Sequence, residues 1–207
     1  MLELGVFSAI IAVYAVFLSV LFAISITLFV LQALGIFKNS KKLGFTKPWL
    51  AFIPVISAFS LGRVGDQYVK IDGRKSAPLK YWLLILSVLN FLFLILFFVI
   101  FAIIISKFYI GVSDKIIANE MLTTEIFKIL IPIMVFYFIA SVISITYQII
   151  YYINLWRIFK IFDNNNAVLF LVLSIVFSFL APIFIFVIKN KEPKFIGQEG
   201  IGFSQNG

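Results

Sequence analysis

The chain contains no cysteine and no histidine. The first absence excludes a disulfide framework and thiol chemistry. The second removes the commonest proton shuttle and the commonest metal ligand. Charge is also sparse, with Asp, Glu, Lys and Arg together making up 13% of the 207 residues. The carboxylates are scattered through connecting segments, without the clustering that a metal site requires. No Gly-x-x-x-x-Gly-Lys-Ser/Thr loop is present; the one glycine-rich patch, 197–202, has no Lys and follows no strand pattern. No paired Asp, Ser dyad or zinc motif lies in an apolar run, so intramembrane proteolysis has no reaction centre. These absences predict a protein that is not an enzyme and carries no cofactor.

What is abundant is apolar sequence. Hydrophobic residues reach 63%, well above the roughly 45–50% of a soluble domain, and the mean hydropathy is +1.13. Four uncharged runs stand out, at about 5–37, 81–106, 129–156 and 167–188. About 20 apolar residues cross the hydrocarbon core as a helix, and a helix satisfies its own backbone in lipid. The expected fold is all-α: a polytopic transmembrane bundle of four spanning helices plus one short interfacial or re-entrant segment. One transmembrane domain, 1–188, takes nearly all the chain, and 189–207 reads as a flexible polar tail. The first run lacks a positive n-region and is far longer than a signal h-region, which predicts a retained helix. The abundance of Phe (26 residues) and Ile fits an AT-rich, bacterial genome.

Between the first two runs, Lys38, Lys41, Lys42 and Lys47 precede Trp49. Basic residues beside a headgroup-level tryptophan suit contact with anionic lipid. The apolar segment 49–62 is too short to span and contains Pro54, so it reads as interfacial or re-entrant. Arg63, Asp66, Lys70, Asp72, Arg74 and Lys75 follow as a dense charged cluster, read as a solvated loop or a docking surface. The segment 107–128 reads as a loop with a short helix capped at Ser113 or Asp114.

Polar residues within the runs are few and patterned. In the first run Ser8, Ala12, Ala15, Ser19, Ala23 and Thr27 share one helix face, a seam for close helix approach. In the third, Tyr137, Ser141, Ser144, Gln148 and Tyr152 are spaced 4, 3, 4 and 4, again one face. Polar groups in lipid seek partners, so this face is predicted to point into the bundle, as a hydrogen-bonding seam or a small cavity lining. Asn90 is the notable polar residue of the second run. Pro182 predicts a kink in the fourth.

The net charge is +8. With no folded basic domain to carry it, this charge points to membrane orientation and not to nucleic acid. Four full spans place 38–80 and 157–160 on one side with eleven Lys and Arg, and 107–128 with the tail on the other with six. The positive-inside rule then puts the N-terminus outside and 38–80 in the cytoplasm; the basic stretch 189–194 would prefer the inside, and a re-entrant hairpin at Pro182 in place of a fourth full span would return it there. Partners expected on these grounds are a bilayer with anionic lipids and a membrane-protein partner or second copy.

Two stretches carry a resemblance. One is 44–56, with Trp49, Ala51, Ile53 and Pro54, followed by Leu61, Gly62, Arg63 and Asp66. The other runs from Trp156 and Arg157 through Lys160 and Asp163 to Ala181 and Pro193. Together they resemble small uncharacterised multi-pass membrane proteins of low-GC Gram-positive bacteria, which share a Trp-x-Ala-x-Ile-Pro element after the first span and a basic-aromatic turn before the last. The resemblance implies the helix layout and a bacterial plasma membrane, and brings no activity. The residues themselves point to a non-enzymatic accessory, regulatory or immunity-type component of a membrane complex. The alternative is a small permease, channel or lipid-handling protein.

Overall fold

A computed structural model of the chain describes residues 2–71, 77–114 and 119–193, with side chains described within 12–70, 77–106 and 130–193. Among these residues six α-helices form: α1 (Leu2–Lys42), α2 (Pro54–Ile71), α3 (Leu79–Asp114), α4 (Asn119–Phe162), α5 (Ala167–Val176) and α6 (Leu180–Val187). Short 3-10 turns cover Pro48–Phe52 and Ile188–Asn190. No described residue is in a strand. Three stretches are long and apolar enough to cross a membrane: Ala12–Lys42, Leu79–Ser106 and Leu130–Phe162.

The expected fourth span does not form as one helix. It divides into α5, of 10 residues, and α6, of 8 residues, which pack on each other. At about 1.5 Å per residue α5 reaches only about 15 Å, half of a typical hydrocarbon core. The chain then turns back. Phe159 near the end of α4 lies 5.5 Å from Phe170 of α5 and 6.3 Å from Phe184 of α6, ring centre to ring centre, and Phe170 stacks on Phe184 at 4.6 Å. Lys191 pairs with Asp163, and the Lys42 ammonium donates to the Lys191 carbonyl at 3.0 Å and to Glu192 at 2.9 Å. Residues 167 and 191 therefore lie at the same end of the molecule, beside the ends of α1 and α4. The break falls at Phe177, whose φ of −123° and ψ of 87° leave the helix. The expected kink at Pro182 is absent there because Pro182 sits in the first turn of α6, where no N–H is required.

Pro54 behaves in the same way. It opens α2, and the helix continues through Arg63, Asp66 and Lys70 to Ile71. The apolar segment 49–62 is thus a 3-10 turn plus the first half of a longer helix, and the described part of the charged cluster is helical, not a solvated loop. Asp72, Arg74 and Lys75 lie outside the described residues. The loop expected over 107–128 is largely helical too: α3 runs on to Asp114, and α4 begins at Asn119. Beyond residue 193 the expected tail lies outside the described residues, while its first two residues, Lys189 and Asn190, belong to the 3-10 turn Ile188–Asn190.

The core sits at one end. Ile36, Leu61, Val64, Leu155, Phe159, Phe162, Ile185 and Ile188 are essentially sealed. Eleven described Lys and Arg residues gather around this end, from Lys38 to Lys191. The other halves of the spans bury little: every residue from 12 to 27 is exposed on all faces of α1. This division is the one that two solvents would give. Near water, burial of apolar surface drives packing; between lipid tails that drive is missing.

Glycines permit the compact end. Gly44 closes α1 at φ 71°. The Gly44 N–H reaches the Lys41 carbonyl and the Phe45 N–H reaches the Ser40 carbonyl, both at 3.0 Å, which is the paired pattern of a Schellman cap. Gly35 lies directly against α6, where an added Cβ would stand 2.6 Å from the Ile185 carbonyl oxygen.

Candidate functional site

The polar face expected on α4 meets two different neighbours and is left open between them. Ser144 donates to the Asn90 side-chain oxygen at 2.6 Å, and the Asn90 amide donates to the Leu86 carbonyl at 2.9 Å. Phe93 and Phe136, 5.1 Å apart, pack alongside in the same α3–α4 seam. Two turns further on, the Tyr152 hydroxyl lies 3.4 Å from Ser178, in the turn between α5 and α6. The remaining members do not enter a seam. Ser141 returns its hydroxyl to the Tyr137 carbonyl at 2.7 Å, and Tyr137 is 71% exposed. Gln148 is exposed, and its amide has no partner among the described residues.

Among the described residues, the small-residue seam of α1 is exposed from Ala12 to Thr27 and is buried against no other helix. Its hydroxyls are satisfied locally: Ser19 and Thr27 each donate to the carbonyl four residues back, at 2.7 and 2.9 Å. Ser8 lies outside the residues whose side chains are described.

The expected lipid contacts surround the basic end. Lys38, Lys41, Lys47 and Trp49 are exposed there. Lys41 stands over Phe37 at 4.7 Å, Arg63 over Phe45 at 4.3 Å and Lys80 over Tyr81 at 4.8 Å, so aromatic faces carry several of these cations. Trp49, Tyr81 and Trp82, each more than half exposed, form an aromatic rim of the kind found at headgroup level. Lys42 differs, being tied to Glu192 and the Lys191 carbonyl.

A buried polar knot beneath this rim was not legible as such in the sequence. The Asp66 carboxylate accepts the Leu79 N–H at 2.8 Å and the Lys80 N–H at 3.2 Å. It thereby caps the start of α3 from another helix, at the end where the helix dipole favours an anion. Arg157 of α4 approaches the same carboxylate at 3.5 Å, both side chains being nearly buried. One turn earlier on α4, the Asn154 amide donates to the Leu61 carbonyl at 3.0 Å. Gly65 leaves the room this needs: a Cβ there would overlap the Asn154 side-chain oxygen. The available signal was Gly62, Gly65 and Asp66 on one helical stretch, with Arg157 as the basic residue ending a span.

Asp163 holds the returning tail. It accepts from Lys191 and, at 3.0 Å, from Asn166. Burial alone would raise its pKa; the Lys191 and Asn166 hydrogen bonds outweigh this and hold the carboxyl below the usual carboxylate range. The contribution to stability is complete above the unfolded-state value of about 3.9 and is lost as pH falls through the lower folded value. Acid titration of the unfolding midpoint below about pH 4 should therefore show a drop that Asp163→Asn lacks.

Among the described residues no group of three or more His, Cys, Asp or Glu could hold a metal ion. Fold and site together define an all-helical chain with three helices long and apolar enough to cross a membrane and a polar knot at one end. Comparison of the chain with protein-family models, with curated proteins and with solved structures gives no match.

Proposed function

We propose that the protein is a non-enzymatic subunit or regulator of a membrane complex, and that it receives a helix of a partner, or of a second copy, along α4 at Gln148. The observation that carries this reading is the exposed Gln148 amide, which has no partner among the described residues. Gln148 lies eight residues before Trp156, about 12 Å along the helix, within the hydrocarbon layer if Trp156 marks its edge. An unsatisfied polar group there is costly, and a facing helix is the usual remedy. The exposed faces of α1 between residues 12 and 27 supply further surface for such packing.

Orientation belongs to the same proposal. With the tail returned to the basic end, segment counts become fourteen Lys and Arg against three. This supports a cytoplasmic basic end and an external N-terminus; a bacterial plasma membrane rests on the resemblance alone.

The test is affinity purification from native membranes in mild detergent, comparing Gln148→Leu with the parent chain. One interhelical hydrogen bond is worth about 1 kcal/mol, so recovery of the partner or second copy should fall about fivefold while abundance is unchanged. Gln148→Asn should retain most of it. Equal recovery with Gln148→Leu would contradict the proposal.

A further inference from the structure

An open groove of about 580 Å³ runs between α4 and α5, lined by Ile149, Tyr152, Ile153, Trp156 and Leu171. Four of these five belong to one face of α4. The next residue on that face is Lys160, four positions beyond Trp156. Its ammonium lies 5.7 Å from the Trp156 ring centre and donates to the Asn164 side-chain oxygen at 2.8 Å. No carboxylate among the described residues pairs with Lys160; the nearby Asp163 is taken by Lys191.

The groove is thus lined by apolar and aromatic side chains, and the Lys160 ammonium stands beside Trp156 just beyond that lining. The Lys160 end coincides with the basic, aromatic-rimmed end of the molecule, and the long axis follows a spanning helix. We propose that this groove binds one anionic phospholipid, with an acyl chain along Ile149, Ile153 and Leu171 and the phosphate at the Lys160 ammonium. An anionic phospholipid matches the apolar lining and the adjacent ammonium at once. Basic pockets between spanning helices are a general mode of acidic-lipid recognition. The edge-to-face contact of Trp156 with Tyr68 of α2, at 5.5 Å, fixes the ring that divides the apolar part from the charged part.

Trp156 provides the readout. Trp49 and Trp82 are the only other tryptophans and are more than half exposed, so Trp49→Phe with Trp82→Phe leaves one fluorophore in the groove. The full chain carrying both changes is reconstituted into phosphatidylcholine vesicles containing either phosphatidylglycerol or phosphatidylcholine with brominated acyl chains. Quenching is expressed relative to the unbrominated lipid. The brominated phosphatidylglycerol should half-quench at about fivefold lower mole fraction, the order of one basic contact with an acidic headgroup. Lys160→Gln should bring the two curves together, and Lys160→Arg should keep them apart. Lys189→Gln, a change of a lysine at the same end that lines no part of the groove, should leave the difference intact. Equal quenching by both lipids would overturn the proposal, as would a difference that survives Lys160→Gln or is lost equally with Lys189→Gln.

Discussion

Asp66→Ala is expected to destabilise the protein by about 3 kcal/mol, the lower part of the range for removing one partner of a buried ion pair. The carboxylate does two jobs. It caps two backbone N–H groups at the start of α3 and faces Arg157 from α2. Loss of a helix cap alone costs about 1 kcal/mol, and the remainder comes from leaving Arg157 in a nearly buried position without this carboxylate. The 3.5 Å separation is long for an ion pair, which keeps the expected value near the lower end of the range. Unfolding in mild detergent, followed by tryptophan fluorescence, measures it. Asp66→Asn retains an acceptor oxygen and should lose about half as much. In Arg157→Met the double mutant with Asp66→Ala should cost less than the sum of the two singles.

The second large effect is expected at Gly35. Its missing side chain lets α1 lie against the backbone of α6, and a Cβ would meet the Ile185 carbonyl oxygen at 2.6 Å and the carbonyl carbon at 2.8 Å. Backbone atoms cannot swing aside as a flexible side chain does. Gly35→Ala should therefore cost about 1–3 kcal/mol by overpacking, and Gly35→Leu should lift the α5–α6 hairpin away from α1. The same unfolding measurement checks the first value. The second shows as loss of protection of the tail, because Lys42 no longer reaches Lys191 and Glu192.

The long spans were legible because runs of more than twenty apolar residues leave a helix little alternative in lipid. The last run has the length of a span, yet it returns. Its fate is decided by contacts distant in sequence: Gly35 against Ile185, Phe159 between Phe170 and Phe184, and Asp163 with Lys191. A hydropathy pattern carries no record of such pairings. Proline was read by its commonest effect within a helix, and position reversed the outcome, since Pro54 and Pro182 both occupy first turns. The polar spacing on α4 located real hydrogen bonds at Ser144 and Tyr152. It could not tell that Gln148 would fall between the two neighbours. Asp66 looked like one charge in a solvated cluster because its partners, Leu79, Lys80 and Arg157, lie 13 to 91 residues away.

The account rests most heavily on the return of the last apolar run to the basic end, and the absence of cysteine makes this directly measurable. Single cysteines are introduced as Lys47→Cys, Asn119→Cys and Glu192→Cys and labelled with a membrane-impermeant maleimide in vesicles of known orientation. Lys47 and Glu192 are exposed, so neither change disturbs the core. Cysteines at 47 and 192 should react from the same side, and the cysteine at 119 from the opposite one. Reaction of the cysteine at 192 from the side of 119 would mean a fourth full span and would contradict the fold described above.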